Sequence, residues 1–256
     1  MSKLIDMLTR KNQSPAPFGF RSSRTDAAVN RLVLIASVIT GDGEVPAERS
    51  KDAHAVLIRA AEGKLTAKAA QTAAKSTEAA VWGIADNADK PVSLPSCCDF
   101  VLLSASSRPV LAPKDDTVGR VLEIESSMDD GLLRAVNDLP VDAVVVTDSI
   151  SIPEDLNWHQ LMIFRHLTHL FSLPLIVPVP AGITADDLKM LWDAGVDGVL
   201  ANAMETDISG LRAAIDQLPA RSEGRKKRSP GIVPRLGLTP EQAQPAPEPD
   251  EEEEED

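Results

Sequence analysis

The sequence has no tyrosine, and aromatic residues make up only 3% of its 256 positions. It therefore offers no stacking platform for single-stranded nucleic acid. Its two cysteines are the adjacent pair Cys97 and Cys98, which cannot build a disulfide framework and lack the spacing of a zinc site. No apolar run reaches the roughly eighteen residues of a membrane-spanning helix, and the amino terminus lacks the apolar stretch of a signal peptide. No Walker loop and no dinucleotide-binding glycine fingerprint follows a candidate strand. The expected compartment is a reducing cytoplasm. Against these absences, 43% of the residues are hydrophobic, enough to fill a sizeable core.

The formal charge of −13 divides unevenly along the chain. Residues 1–24 carry a net +4, and within them Leu4, Ile5, Met7 and Leu8 fall on neighbouring helical positions between basic flanks. The reading is a short amphipathic helix, better suited to docking as a plug at the bottom of the body, or as a partner contact, than to a membrane surface. Residues 221–256 begin with the basic cluster Arg225–Arg228 and end in the acidic run Asp250–Asp256. Their composition cannot bury enough apolar surface to offset ordering, so this segment reads as a disordered basic-then-acidic tail. Residues 25–220 form the body, itself at −13. A body of that sign repels phosphate backbones, and no nucleic-acid partner is expected for it.

Within the body, β-branched runs alternate with Ala- and Leu-rich amphipathic segments. Eight runs begin at Leu32, His54, Val81, Cys98, Val121, Val141, Pro174 and Gly198, a mean spacing of about 24 residues. Strands alternating with helical patterns imply parallel βαβ units, and near-continuous apolar strands imply burial on both faces. Eight such units closing on themselves make an α/β (β/α)₈ barrel of the TIM type. An open doubly wound sheet is the alternative. Helices are expected over Thr66–Ala79, Asp129–Leu139 (with Ser126 and Ser127 as candidate caps), Asp155–Leu170 and Thr184–Ala194. The connections Gly41–Asp52 and Ala105–Arg120 have little helical period, so the first and fourth helices are expected to be degenerate.

Barrel sites lie at the carboxyl ends of the strands. Those ends carry Ser37 and Thr40, Arg59, Asp86, Ser104, Glu125, Thr147 and Asp148, Pro180 with Gly182, and Asn202. Glu123 and Glu125 alternate with Leu122 and Ile124, so both carboxylates project from one face of their strand and are expected inside the barrel. Glu125 and Asp148 are the candidate catalytic groups, with Glu125 as a general base and Arg59 as a counter-ion. Together with Asp86 they also have the chemistry of magnesium ligands. An internal salt bridge is the competing reading, and no metal site is assigned. No lysine stands at a strand end to serve as a Schiff-base nucleophile. His159, His166 and His169 fall on the sixth helix, outside a barrel, and read as surface residues. Cys97-Cys98 reads as packing at a strand start.

The stretch Pro174 to Met204, PLIVPVPAGITADDLKMLWDAGVDGVLANAM, resembles the seventh strand, seventh helix and eighth strand of the phosphate-binding (β/α)₈ barrels, among them the thiamine-phosphate synthase-like, tryptophan-pathway and several FMN-dependent barrels. Ala181-Gly182-Ile183 takes the place of a Gly-Gly-Ile-like turn, and Ala194-Gly195-Val196-Asp197-Gly198-Val199 matches the approach to the last strand. The resemblance implies a phosphorylated or anionic metabolite held by backbone N–H groups after strands seven and eight, with Gly182, Asn202 and Arg59 as binding residues. Two positions depart from the pattern: Ala181 replaces the first glycine, and Asn202-Ala203 stands where Gly-Ser or Gly-Thr is usual. On that account two functions are open: a barrel binding a small anionic metabolite, or a non-catalytic degenerate barrel acting as a scaffold through its charged tail. Neither the reaction, the cofactor nor the oligomeric state can be read from the sequence.

Overall fold

Runs such as VLIASVIT and AVLIRA have no polar face, so they are stable only where both sides of the strand are covered. The computed structural model describes residues 2–9, 32–40, 49–60, 72, 75, 81–85, 98–147 and 155–219, all within one compact unit, Met1–Ser222. Its strands are β1 Val33–Thr40, β2 Ala55–Ala60, β3 Trp82–Ala85, β4 Phe100–Ser104, β5 Gly119–Ile124, β6 Ala143–Val146, β7 Leu175–Pro178 and β8 Gly198–Asn202. Each begins within two residues of the run expected for it. They pair in parallel and in chain order, and β1 closes on β8 through Val33↔Gly198 to Ser37↔Asn202. The barrel is closed, which rules out the open sheet. Among the described residues no helix is long and apolar enough to cross a membrane. The tail, residues 221–256, lies outside the described residues.

Alternation along each strand divides the core in two. Outward residues such as Leu34, Ile58, Ile84, Val144, Val177 and Val199 pack under the helices. Inward residues such as Ile35, Leu57, Phe100, Leu102, Val145 and Leu200 fill the barrel together with Leu4, Ile5 and Leu8. Those last three belong to α1, Lys3–Thr9, which stops the bottom of the barrel as the amphipathic pattern suggests. Asp99, just before β4, accepts from Ser2 Oγ at 2.7 Å and from the Lys3 and Leu4 N–H groups at 2.9 and 3.0 Å. A carboxylate here satisfies two otherwise unpaired amides of the first turn. Glycine at the start of β5 makes room for the plug, because a Cβ on Gly119 would stand 2.8 Å from Ile5 Cγ1 and from Ser2 Oγ.

Three of the helices begin where a side chain closes the amino end. In α2, Asp130–Ala135, the cap is Asp129, which accepts from Gly131 N at 2.8 Å, and neither Ser126 nor Ser127. The next helix, α3, starts at Trp158 rather than Asp155, because Asn157 and Gln160 form a reciprocal capping box. Thr184 and Asp187 do the same for α4, Ala185–Ala194, and Gly195, at φ 107°, ends it in the left-handed conformation. The last helix, α5, spans Ile208–Asp216. Between β4 and β5 every residue is described, and the connection holds one 3₁₀ turn, Pro109–Leu111, in place of an α-helix. Of the expected helix over Thr66–Ala79 only Thr72 and Lys75 are described, both of them helical, and most of the Gly41–Asp52 connection lies outside the described residues.

One histidine is part of the barrel wall. His54 Nδ1 accepts from Leu34 N at 3.0 Å, and the backbone N–H of His54 donates to Leu34 O at 2.9 Å. Burial, then the nearby Arg212 guanidinium, push its pKa from 6.5 to about 4, against the opposing pull of Asp216. The fold thus favours the neutral ring. The stabilisation is complete above pH 6.5, is lost as pH falls from 6.5 towards about 4, and changes no further below. At about 1.4 kcal/mol per pH unit, it is on the order of 3 kcal/mol. His54→Asn keeps an acceptor but no titration. Urea unfolding of both proteins across this range is expected to show the wild type alone losing the additional stability, and parallel profiles would contradict the assignment.

Candidate functional site

With the bottom closed by α1, the barrel opens only at the carboxyl ends of its strands. A cavity of about 1250 Å³ occupies this mouth. The inward positions of the last strand turns line it: Ser37 and Ile39 on β1, Arg59 on β2, Ser104 on β4, Glu123 on β5, Pro178 on β7, and Leu200 and Asn202 on β8. Pairing sets their neighbours. Ser37 lies opposite Asn202, Ile39 opposite Arg59, and Ser104 opposite Glu123. Pro178 has no N–H to give, and the β6–β7 ladder is short, holding only Val144↔Leu175 and Val145↔Ile176.

The alternation expected in β5 is present: Leu122 and Ile124 pack into the outer core and Glu123 turns inward, half-buried. The strand, however, ends at Ile124. Glu125 is therefore an exposed residue on the rim, where Ser127 Oγ donates to its Oε2 at 3.5 Å. The carboxylate held inside the barrel is Glu123. Arg59 is half-buried on β2 and lines the same cavity, as do Gly182 and Asn202. Asp148 and Asp86 lie outside the described residues. Sequence reasoning missed Asp155 and Glu205, which also line the mouth. The sequence pattern puts Asp155 at the first position of a helix, and no local signal marks Asp155 or Glu205 as a lining residue.

The two turns expected to bind an anion differ. After β8 every backbone donor is engaged: Ala203 N with Ser37 O at 3.0 Å, Met204 N with Asn202 Oδ1 at 3.1 Å, and Glu205 N and Thr206 N with Asn202 O at 3.2 and 2.9 Å. Asn202 thus uses its side-chain oxygen to brace its own loop, while its NH₂ group donates to nothing among the described residues. After β7, Ile183 N reaches Pro180 O and Thr184 N reaches Asp187 Oδ2. The N–H groups of Ala181 and Gly182 donate to no described residue, and both residues are exposed. Gly182 does not adopt a positive φ, so the turn itself does not demand glycine there.

Other sequence features find structural partners away from the mouth. His166 Nε2 sits 2.9 Å from Asp130 Oδ1 on the outside of the barrel, and His159 and His169 are exposed on the same helix. Cys98 is buried just before β4, its Sγ donating to Phe100 O at 3.2 Å. Among the described residues no group of three His, Cys, Asp or Glu side chains is arranged to hold a metal ion.

No protein-family model matches the sequence, and no curated protein matches it significantly. Solved structures do. A Mycobacterium tuberculosis tryptophan synthase chain is 12% identical with a TM-score of 0.55, the match covering 73% of this chain and 94% of that one. A thiamine phosphate pyrophosphorylase from Pyrococcus furiosus is 14% identical with a TM-score of 0.50, covering 72% and 94%. A mutant tryptophan synthase α-subunit from the same organism is 12% identical with a TM-score of 0.51, covering 73% and 97%. The likeness is one of fold. It spans most of the barrel, not residues 174–204 alone.

Proposed function

We propose that the barrel binds a small metabolite in its mouth, with an anionic group of that metabolite on the β7–β8 side. The observation that carries this is the pair of unengaged N–H groups at Ala181 and Gly182 beside the Asn202 NH₂ group and Arg59, all on one cavity. Backbone amides after a strand bind an anion without requiring a basic side chain. A phosphate ester is the first anion to test, since one chain of similar fold is a thiamine phosphate pyrophosphorylase. Glu125, with Asp148 one residue beyond Thr147, is the candidate to move a proton on the bound molecule, and Glu123 is the inner carboxylate beside it. The sequence holds two cysteines, an adjacent pair unsuited to a disulfide framework, and we place the protein in a reducing cytoplasm.

The second reading is a non-catalytic barrel kept as a scaffold. It is supported by the engaged donors after β8 and by an acidic lining, in which Glu123, Glu125, Asp155 and Glu205 face Arg59 alone among the described residues. A thermal-shift screen against phosphorylated metabolites, followed by calorimetry, separates the two. Because Gly182 is exposed and has an ordinary φ, Gly182→Val is expected to fold. Its side chain blocks close approach to the amide and raises the dissociation constant at least about tenfold, or about 1.4 kcal/mol. Glu125→Gln leaves binding within a few fold while any turnover falls. Wild type that binds nothing, or a folded Gly182→Val that binds equally well, leaves the scaffold.

A further inference from the structure

The polar groups of the mouth are sorted by strand. In a closed ring of eight, β1 and β5 lie across from each other. Donors cluster on the arc β7–β8–β1–β2: the Ala181 and Gly182 amides, the Asn202 NH₂ group, the Ser37 hydroxyl and the Arg59 guanidinium. Two acceptors that carry charge lie on β5 and at its end: Glu123, in register with Ser104, and Glu125 above it on the rim. Among the described residues, the barrel's inner layer thus carries one cation, Arg59, and one anion, Glu123, on opposite halves. Among the described residues that line it, the outer rim adds three exposed carboxylates, Glu125, Asp155 and Glu205, and no cation. A multiply charged anion gains from the donor arc but also meets the carboxylates of Glu123, Glu125, Asp155 and Glu205 on the same lining. A molecule with a compact anion at one end and a protonated amine at the other satisfies both halves at once and is drawn in by the acidic rim.

We infer that the ligand of this site is an amine-bearing anion, its anionic group on the β7–β8 donors and its ammonium group on Glu123. This rests on the binding reading above, and the test separates the two. Full-length wild type is titrated with matched compounds: glucosamine phosphate and phosphoethanolamine (anion and amine), glucose phosphate and glycerol phosphate (anion alone), and glucosamine and ethanolamine (amine alone). The expected result is that the best compound carries both groups and binds at least about fivefold more tightly than either matched partner. Glu123→Gln is expected to bring that compound within about twofold of its amine-free partner, leaving the anion's own contribution in place. The ranking on wild type tests the idea even where that variant is unstable. Equal binding by amine-free phosphates overturns the amine assignment and leaves the metabolite site standing. Amines that bind as well without an anion overturn both the zwitterion and the anion site, and no binding by any class removes the site altogether.

Discussion

Removal of residues 1–9 is expected to destabilise the barrel by about 5 kcal/mol, measured as a lower urea midpoint with little loss of slope. Leu4, Ile5 and Leu8 are 0%, 4% and 1% exposed. Full burial of a Leu or Ile side chain contributes about 1.5–3 kcal/mol, and the compactness of denatured chains lowers the sum. Their loss also opens the inner core to water from below, where Val33, Ala55 and Phe100 lie in the same cluster. Asp99→Ala isolates the polar part. It leaves the apolar contacts in place but removes the acceptor of Ser2 Oγ and of the Lys3 and Leu4 N–H groups, a cost of about 1–2 kcal/mol. Because the plug and the mouth are at opposite ends, ligand affinity measured well below the new midpoint should not change. A deletion costing under about 1 kcal/mol would show that the inner core does not depend on α1.

Trp192→Ala is expected to cost about 3–5 kcal/mol, the range for truncating a buried aromatic residue. Trp192 is 1% exposed, among the largest fully buried side chains, and sits in the outer core between α4 and the sheet. Its Nε1 donates to Pro219 O at 3.1 Å, tying the end of the described chain to the barrel. Trp192→Phe keeps most of the apolar contact and loses that bond, so its cost should be well under half that of alanine. Thermal and urea unfolding of the three proteins gives the order wild type, Phe, Ala. An alanine variant within about 1 kcal/mol of wild type would mean that the outer core closes around the vacated space without penalty.

The barrel and its mouth were legible in the sequence to different depths. Strand existence and order followed from the apolar runs, since a strand covered on both faces has to be apolar throughout, and a period of strand and helix leaves parallel pairing as the economical arrangement. Thr184 and Gly195 marked the ends of α4 because capping is a local matter, settled within four residues of chain. The start of α3 was misplaced for the same reason in reverse: the acid at Asp155 resembles a first turn, but Asn157 has the reciprocal partner, Gln160. Alternation correctly set Glu123 and Glu125 apart from Leu122 and Ile124. It could not say that β5 stops at Ile124, because a strand ends where its neighbours cease to pair, here at Ile124↔Val146. That single residue separates a carboxylate inside the barrel from one on its rim. The composition of the mouth also came from pairing, which set Ser37 beside Asn202 and Ser104 beside Glu123 across long stretches of sequence. Whether a backbone amide is available to a ligand depends on acceptors elsewhere in space. Met204, Glu205 and Thr206 give theirs to Asn202, while Ala181 and Gly182 keep theirs. The pattern of side chains along the chain therefore determined which segments form the barrel, and only the register of eight strands around it decided which of their polar groups face one another across the mouth.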